Sequence, residues 1–320
     1  MSKSAACSFL RNNNDFLLIA HVSPDGDTLG SCLCLYDVLL QMGKRVQVAC
    51  EESVPVLYTF LPHAQAVLSP LEVKPFSAII FVDCGGLNRA GELAPLLEQA
   101  EHSLCIDHHQ TNLGFAQENW VLNCSSTGEM VFSLLQELDT SFFNRDTATC
   151  LYTAIATDTG NFAYSNVASD TFLAAASLVQ CGIDLPELNR RLFRCTPVKK
   201  ARLVGVVMQN LQLLAEGRFA LSTISCAELD RWNASGEDCE GLIDRLRDIE
   251  GVEVSCLLRD SKDGSKIRVS LRSLNEPDVS QIAARFGGGG HKRAAGCTLS
   301  GTLEEARDQL KEAILSRLYP

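Results

Sequence analysis

Short apolar runs alternate with stretches of helical periodicity through the first half of the chain. Phe16 to Ala20 (FLLIA) has the length and content of a buried strand bounded by polar residues. Over residues 27–42, Leu29, Leu33, Tyr36 and Leu40 recur at helical spacing, and Gly43 can end that helix. Val46 to Cys50 predicts a second short strand, and residues 54–61 a short helix ahead of Pro62. Ser77 to Cys84 (SAIIFVDC) predicts a strong buried strand broken by Gly85 and Gly86, and Leu104 to Ile106 another short one. Asp146 to Gly160 reads as a helix with Asp146 as its N-cap and Leu151, Tyr152 and Ile155 on one face. Strands alternating with helices indicate βαβ units and a parallel sheet.

The second half changes character. Residues 183–215 read as helix-rich, punctuated by Pro186 and Pro197, with a basic cluster at Lys199, Lys200 and Arg202. Strands are predicted at Phe219 to Ile224, Val252 to Leu258 and Lys266 to Leu271, the last two joined by a turn-rich link at 260–264. A helix from Asp278 to Phe286, with Arg285 at its basic end, leads into a glycine-rich loop, GGGGHKRAAG (287–296), and a final helix over about 303–317. The expected fold class is therefore α/β: an N-terminal parallel-sheet domain (1–185), a helical linker (186–204) and a second, smaller α/β domain (205–320).

Composition narrows the function classes. The 320 residues are 46% hydrophobic and 21% charged, which suits a globular chain with a full core. The formal net charge of -11 excludes a generally basic nucleic-acid surface, so a phosphate-bearing substrate needs a local device. The 14 Cys are scattered without a C-x-x-C pair, which argues against structural zinc. Many lie in apolar runs, where a free thiol packs as a small hydrophobe. The N-terminus lacks an apolar core of signal-peptide length, and no run approaches the roughly 18 apolar residues of a membrane span. A reducing cytoplasm and no membrane are expected.

The chemistry gathers where predicted strands give way to loops. His21, Asp25 and Asp27 fall in HVSPDGDTLGS (21–31), with Pro24 and Gly26 to shape a tight turn. Asp83 ends one strand, and Asp107, His108 and His109 end another. Alone, each suits a polar turn, a helix cap or a satisfied histidine. Together they lie at the carboxyl ends of parallel strands, where such sheets bind ligands. Asp158 sits in the last turn of its helix, unfavourable against the macrodipole unless it faces a cation. Imidazole with hard oxygen donors suits Mn²⁺, Fe²⁺ or Zn²⁺ more readily than Ca²⁺. Four aspartates offset two divalent ions, which at about 3.5–4 Å apart could share Asp83. A phosphoester then requires further cationic groups. Arg89, in the loop CGGLNRAG shortly after Asp83, is close enough to reach the site and nearly as well suited to the surface.

HVSPDGDTLGS, FVDCG, IDHH and TDTGNF resemble, in order, the four motifs of the DHH phosphoesterase superfamily, over roughly residues 15–165. The resemblance implies a phosphoesterase with two divalent metal ions, usually Mn²⁺. By position, His21, Asp25, Asp27, Asp83, His108 and Asp158 would be the ligands. Asp107 would orient His108, and His109 would contact the scissile phosphate or leaving group, with Arg89 helping to offset charge. GGGGHKRAAG resembles the GGGH-containing motif of the DHH-associated C-terminal domain, so Gly289, Gly290, His291 and Arg293 would hold a terminal phosphate of the substrate. The combination resembles the oligoribonuclease and pAp phosphatase subgroup. That subgroup releases mononucleotides from short oligoribonucleotides and converts 3′-phosphoadenosine 5′-phosphate (pAp) to AMP. The implied active site lies between the domains, and the implied partners are short RNA and nucleotide phosphates; a homodimer is left open. The alternatives are a linear or cyclic dinucleotide phosphodiesterase, a pyrophosphatase of the same superfamily, and a non-enzymatic nucleotide- or RNA-binding protein.

Overall fold

The computed structural model describes residues 1–261, 266–274 and 276–318. It divides into two compact units, Met1–Cys195 and Thr196–Pro320, a boundary that falls inside the 186–204 stretch. The turn-rich link at 260–264 lies mostly outside the described residues. No helix among the described residues is long and apolar enough to cross a membrane.

The first unit contains α1 (Lys3–Asn12), β1 (Asp15–Ala20), α2 (Gly26–Gln41), β2 (Arg45–Ala49), β3 (Val67–Leu68), β4 (Ala78–Val82), β5 (His102–Asp107), β6 (Glu118–Val121), α3 (Thr127–Leu138), α4 (Arg145–Asp158), α5 (Ser169–Gln180) and α6 (Leu185–Asn189). The six strands form one sheet in the order β3-β2-β1-β4-β5-β6, every pair parallel. The parallel α/β reading is met. The order reverses between β1 and β4, and a crevice opens at such a switch point beyond the strands' carboxyl ends. β1 from Phe16 onward and all of β4 are fully buried, which explains their unbroken apolar runs: both faces of the sheet are covered. Leu18 and Ile80 pack on the helical side, Ile19 and Phe81 on the other. The expected helix at 54–61 reduces to a single turn, Val56–Tyr58.

Three local expectations are corrected. Leu40 does not join the buried face of α2; it is exposed, while Val38 and Leu39 are buried. α2 is covered almost all round, by the sheet and by α4, so a single apolar stripe does not describe it. Asp146 does not cap α4. Asn144 does, its Oδ1 accepting from the N–H groups of Asp146 (2.8 Å) and Thr147 (3.0 Å). Gly26 does not serve to loosen the turn; it lies in the first turn of α2, pressed against α4. A Cβ there would sit 2.4 Å from Thr157 Oγ1, and one on Gly30 would sit 2.4 Å from the carbonyl oxygen of Cys150. The two glycines bring α2 and α4 unusually close, and these helices carry Asp27 and Asp158.

The second unit contains α7 (Val198–Gln209), β7 (Gln212–Leu214), β8 (Phe219–Ile224), α8 (Cys226–Arg231), α9 (Leu242–Arg247), β9 (Val254–Asp260), β10 (Ile267–Ser273), α10 (Val279–Ala284), β11 (Gly289–His291), β12 (Ala294–Leu299) and α11 (Leu303–Leu318). Its sheet runs β11-β12-β10-β9-β8-β7, with β8 and β9 parallel and the other pairs antiparallel. β7 emerges from a stretch expected to be helical. α10 and α11 cover one face, while α7 and α9 cover part of the other. The remainder of that face opens into a groove of about 1080 Å³ whose lining includes Arg259, Arg268 and Arg272.

The glycine run is a loop only in its first half, Gly287 and Gly288. Gly289 to His291 form an edge strand that pairs with Ala294 to Gly296 as a tight hairpin. Gly290, at φ +138°, would place a Cβ 2.6 Å from Ala294 O, so the hairpin itself requires glycine there.

Replacing Gly30 with Ala is expected to force α2 from α4 and to lower stability by about 1–3 kcal/mol, the usual cost of overpacking. Urea unfolding checks this; an unchanged midpoint would show that the helices part freely.

Candidate active site

The site is assembled at the β1–β4 switch point. His21 follows β1, Asp25 and Asp27 open α2, Asp83 follows β4, His108 follows β5 and Asp158 ends α4. Thr28 ties these ends together: its buried hydroxyl donates to Val82 O at 2.9 Å and accepts from His21 N–H at 3.3 Å. Asp25 is the N-cap of α2, its Oδ1 accepting from the N–H groups of Asp27 (3.0 Å) and Thr28 (3.1 Å). Asp83 adopts a left-handed backbone, φ 61°, which Asp tolerates better than most residues and which turns its carboxylate back over the strand ends.

All six expected ligands come together. His21 Nε2 lies 3.7 Å from Asp25 Oδ1 and 3.5 Å from Asp83 Oδ2. His108 Nε2 lies 3.8 Å from Asp27 Oδ2, and 3.6 Å from both Asp83 Oδ1 and Asp158 Oδ2. The donors form two histidine-centred groups, one with His21, Asp25 and Asp83 and one with Asp27, His108 and Asp158, and a third group joins Asp83 to His108 and His109. Asp83 belongs with both of the first two, one oxygen toward each histidine. These separations are too long for direct hydrogen bonds. Two ligands about 2.1 Å from a shared ion stand roughly 3–3.4 Å apart at octahedral or tetrahedral angles, so the groups are slightly expanded ion cages. The imidazoles are also set for ligation. Nδ1 of His21 is 2.8 Å from Val22 O and Nδ1 of His108 is 3.3 Å from Cys124 O. A proton on each Nδ1 leaves both Nε2 lone pairs facing the carboxylates, the usual posture of a metal-bound histidine. The donor set fits two divalent ions of the Mn²⁺, Fe²⁺ and Zn²⁺ type.

One expectation about the neighbours fails. Asp107 does not reach His108. Its Oδ1 accepts from His109 Nδ1 at 2.7 Å and its Oδ2 from Asn112 Nδ2 at 2.7 Å. Asp107 is the last residue of β5, and beyond the strand end the chain brings His109 Nδ1 to its carboxylate while His108 Nδ1 faces Cys124 O. Arg89 does reach the cluster, with Nη2 2.9 Å from His21 Nδ1. His291 and Arg293 lie exposed on the hairpin of the second unit. There Gly287 and Gly288, rather than Gly289 and Gly290, line the arginine groove.

Several contributors escaped the sequence reading. The N-terminus of α3 points at Asp27: the N–H groups of Thr127 and Gly128 donate to its two oxygens at 2.7 and 2.8 Å. The Thr127 hydroxyl donates to Asp83 Oδ1 at 2.9 Å. Asn166 Nδ2 donates to the carbonyl oxygen of Asp158 at 3.1 Å. The S-x-x-E start at Ser126–Glu129 was legible as a helix cap, and the cap forms. Nothing in the sequence said that this helix end faces residue 27.

The electrostatics describe a site built for cations. Burial, then the charges of Asp83 and Asp158, push the Asp27 carboxyl well above the usual range. Burial with the neighbouring Asp83 and Asp25 charges pushes Asp158 up to about 6, against the pull of His108. Burial works to lower the His21 pKa, but the adjacent Asp25 and Asp83 carboxylates outweigh it and raise it to about 9. Without an ion, protons occupy the cluster. His109 is also raised, chiefly by its bond to Asp107, which burial would lift but which the His109 and Asn112 bonds hold low.

Comparison with known proteins matches this frame. A model of the DHH family N-terminal domain matches residues 15–155, and a model of the DHHA1 domain matches residues 217–318. A Thermus thermophilus protein described as a bifunctional oligoribonuclease and PAP phosphatase, NrnA, is 32% identical over 305 residues, covering 94% of this chain and 89% of its own. The chain belongs to the DHH family. The Bacillus subtilis protein of the same description is 25% identical over 290 residues, covering 88% of each chain. The crystal structure of an exopolyphosphatase-related protein from Bacteroides fragilis superposes with a TM-score of 0.90 at 27% identity, covering 98% of this chain and 95% of that one. This DHH-family chain thus carries the expected motifs on the expected sheet, with Asp107 paired differently.

Metal and protons should compete. His21 rises from 6.5 to about 9 on folding, so its protonated form stabilises the metal-free fold fully below about pH 6.5 and that support is lost as pH rises to about 9. Asp158, raised from 3.8 to about 6, loses its support over that lower interval in the same direction. Metal-free stability should therefore fall with rising pH, while an ion that replaces the protons stabilises more. Melting with EDTA and with Mn²⁺ between about pH 6 and 9 checks this; a gap that does not widen with pH would contradict the cluster's proton occupancy.

Proposed function

We propose that this DHH-family phosphoesterase is a divalent-metal-dependent hydrolase that converts short oligoribonucleotides to mononucleotides and pAp to AMP. The observation that carries the reading is Asp83, whose two oxygens serve two histidine-centred donor groups. The near full-length similarity to proteins described as oligoribonuclease and PAP phosphatase supports the substrate class. The metals are proposed to be two Mn²⁺ ions, held by His21, Asp25, Asp27, Asp83, His108 and Asp158. Bound there, they supply Lewis acidity and a template for in-line displacement at phosphorus.

The chain's own residues then have separable tasks. Thr127 and Gly128 fix Asp27 by hydrogen bonds and thereby hold the spacing of the two groups. Asp107 holds His109 in one orientation and favours its cationic form, with Nε2–H free to donate to a phosphate oxygen or to the leaving group. Arg89 stands beside His21, and with His21 Nδ1–H donating to Val22 O its guanidinium N–H groups are left for the same anion. These two residues are the local cations that the carboxylate-rich shell requires. In the second unit, His291 and Arg293 are proposed to take a terminal phosphate, with the arginine groove as additional cationic surface. The cytoplasm is the proposed location, in keeping with the lack of any disulfide among the cysteines of the described residues.

A product assay with Mn²⁺ that offers pAp, pApA, a longer RNA and pyrophosphate side by side should show turnover of the first two. Preference for pyrophosphate would overturn the reading. Asp83→Ala should abolish activity about as completely as EDTA does; full activity would sink the shared-ligand scheme. His291→Ala should reduce turnover of short 5′-phosphorylated oligonucleotides by about 10- to 1000-fold, while hydrolysis of bis-p-nitrophenyl phosphate falls much less. Equal losses on both would remove His291 from the distant-phosphate role.

A further inference from the structure

The segment that follows Asp158 carries an exposed aromatic ring on a backbone fixed beside the metal-ligand cluster. Buried Thr159 anchors it: its carbonyl oxygen accepts from the N–H groups of Ala163 (2.9 Å) and Tyr164 (3.0 Å), and its hydroxyl accepts from Phe162 N–H at 3.1 Å. Gly160, Asn161 and Phe162 all take left-handed backbones, at φ 55°, 56° and 63°. Strained backbone of this kind persists only where its surroundings impose it. Two residues beyond Tyr164, Asn166 returns to Asp158, its Nδ2 contacting both the carbonyl oxygen and, at 3.4 Å, Oδ2 of the carboxylate. Tyr164 is thus rooted within a short tether of Asp158 in both chain directions.

The ring itself is unspent. One face lies flat on Gly160, where an added Cβ would fall 2.4–2.7 Å from three ring atoms. Tyr164 is nevertheless 57% exposed, and its hydroxyl makes no hydrogen bond among the described residues. Phe162, by contrast, turns inward against Tyr152 and stacks on Phe172, with centroids 5.5 Å apart and planes at 23°. Phe162 is thus held between two rings, while Phe172 is itself 55% exposed; Tyr164 has no ring partner among the described residues.

We propose that Tyr164 is the stacking platform for the nucleobase of the nucleotide whose phosphate occupies the metal-ligand cluster. The inference rests on the nucleotide reading of the substrate and deepens it. Every base has a π-face, so an aromatic platform binds bases without reading their edges. That property suits an enzyme that must process short RNA of any sequence. Because the ring already rests on Gly160 and its backbone is held by Thr159, stacking costs little ordering.

Equilibrium binding to the Mn²⁺-loaded full chain tests this, with AMP and ribose 5-phosphate as probes that differ only by the base. The wild type should bind AMP about 5- to 100-fold more tightly than ribose 5-phosphate. Tyr164→Ala should abolish that difference by weakening AMP alone, while Tyr164→Phe and Tyr164→Trp retain it. Thermal melting of each variant shows whether the fold persists. A wild type that binds both probes equally, or a Tyr164→Ala variant that weakens both equally, overturns the platform. So does a shift of oligomeric state in Tyr164→Ala with AMP binding unchanged, since the ring would then lie between copies of the chain. Failure of the proposed reaction is read separately, as absence of pAp and pApA turnover in a wild type that still prefers AMP to ribose 5-phosphate.

Discussion

Four aspartates crowd into the crevice where the sheet reverses its strand order, and their mutual repulsion is the constraint on which the first unit is built. Carboxylates brought together and partly buried cannot all stay charged without compensation. The fold compensates in three ways. It aims the α3 N-terminus at Asp27, so that two backbone N–H groups and the positive end of a helix dipole face the most buried of the four. It lends the Thr127 hydroxyl to Asp83. It sets two imidazoles between the carboxylates with their Nε2 atoms inward. What remains is net negative charge on the carboxylates, of a size that two divalent cations would offset. The raised carboxyl pKa values of Asp27 and Asp158 record the same deficit in protons.

This demand explains features that would otherwise look like packing accidents. α2 and α4 approach through Gly26 and Gly30, since Asp27 begins one helix and Asp158 ends the other, and both must reach His108. Asp83 accepts a left-handed backbone because an ordinary continuation of β4 would carry its carboxylate away from the crevice. The Asp107–His109 pair lies beside these ligands and is organised differently. Its negative charge is wholly buried, and His109 and Asn112 satisfy it. A cluster of carboxylates therefore stands next to an imidazole whose pKa is raised by its bond to Asp107.

The second unit solves another problem. A chain with net charge -11 must still receive phosphate, and the open part of its second sheet presents Arg259, Arg268 and Arg272 to a groove. The glycine run beside it serves close backbone approach, but between strands: Gly290 and Gly288 fit against the main chain of β12, where any side chain would collide. Glycine content alone favours a loop, whereas the registered pairing of β11 with β12 puts Gly289 and Gly290 in an edge hairpin.

Residue chemistry and short-range order were legible in the sequence. Unbroken apolar runs marked β1 and β4 because burial on both faces leaves no polar alternation, and the polar residue that ends such a run sits at a sheet edge by necessity. His21, Asp83 and His108 could therefore be placed at one crevice before any coordinates. The pairing of Asp107 with His109 was not legible, because both histidines lie past the end of β5. Partner choice across the fold was not legible, because it depends on where distant segments dock. Thr127 lies 100 residues from Asp27, and no local pattern announces that one helix end will serve the other's carboxylate. The same holds for Gly26 and Gly30, whose role appears only when α4 lies against them, and for Tyr164, whose ring comes to rest on Gly160. The sequence by itself determined the donors and the strand ends that carry them; tertiary packing decided what each donor faces, because that is a property of surfaces brought together by the whole core.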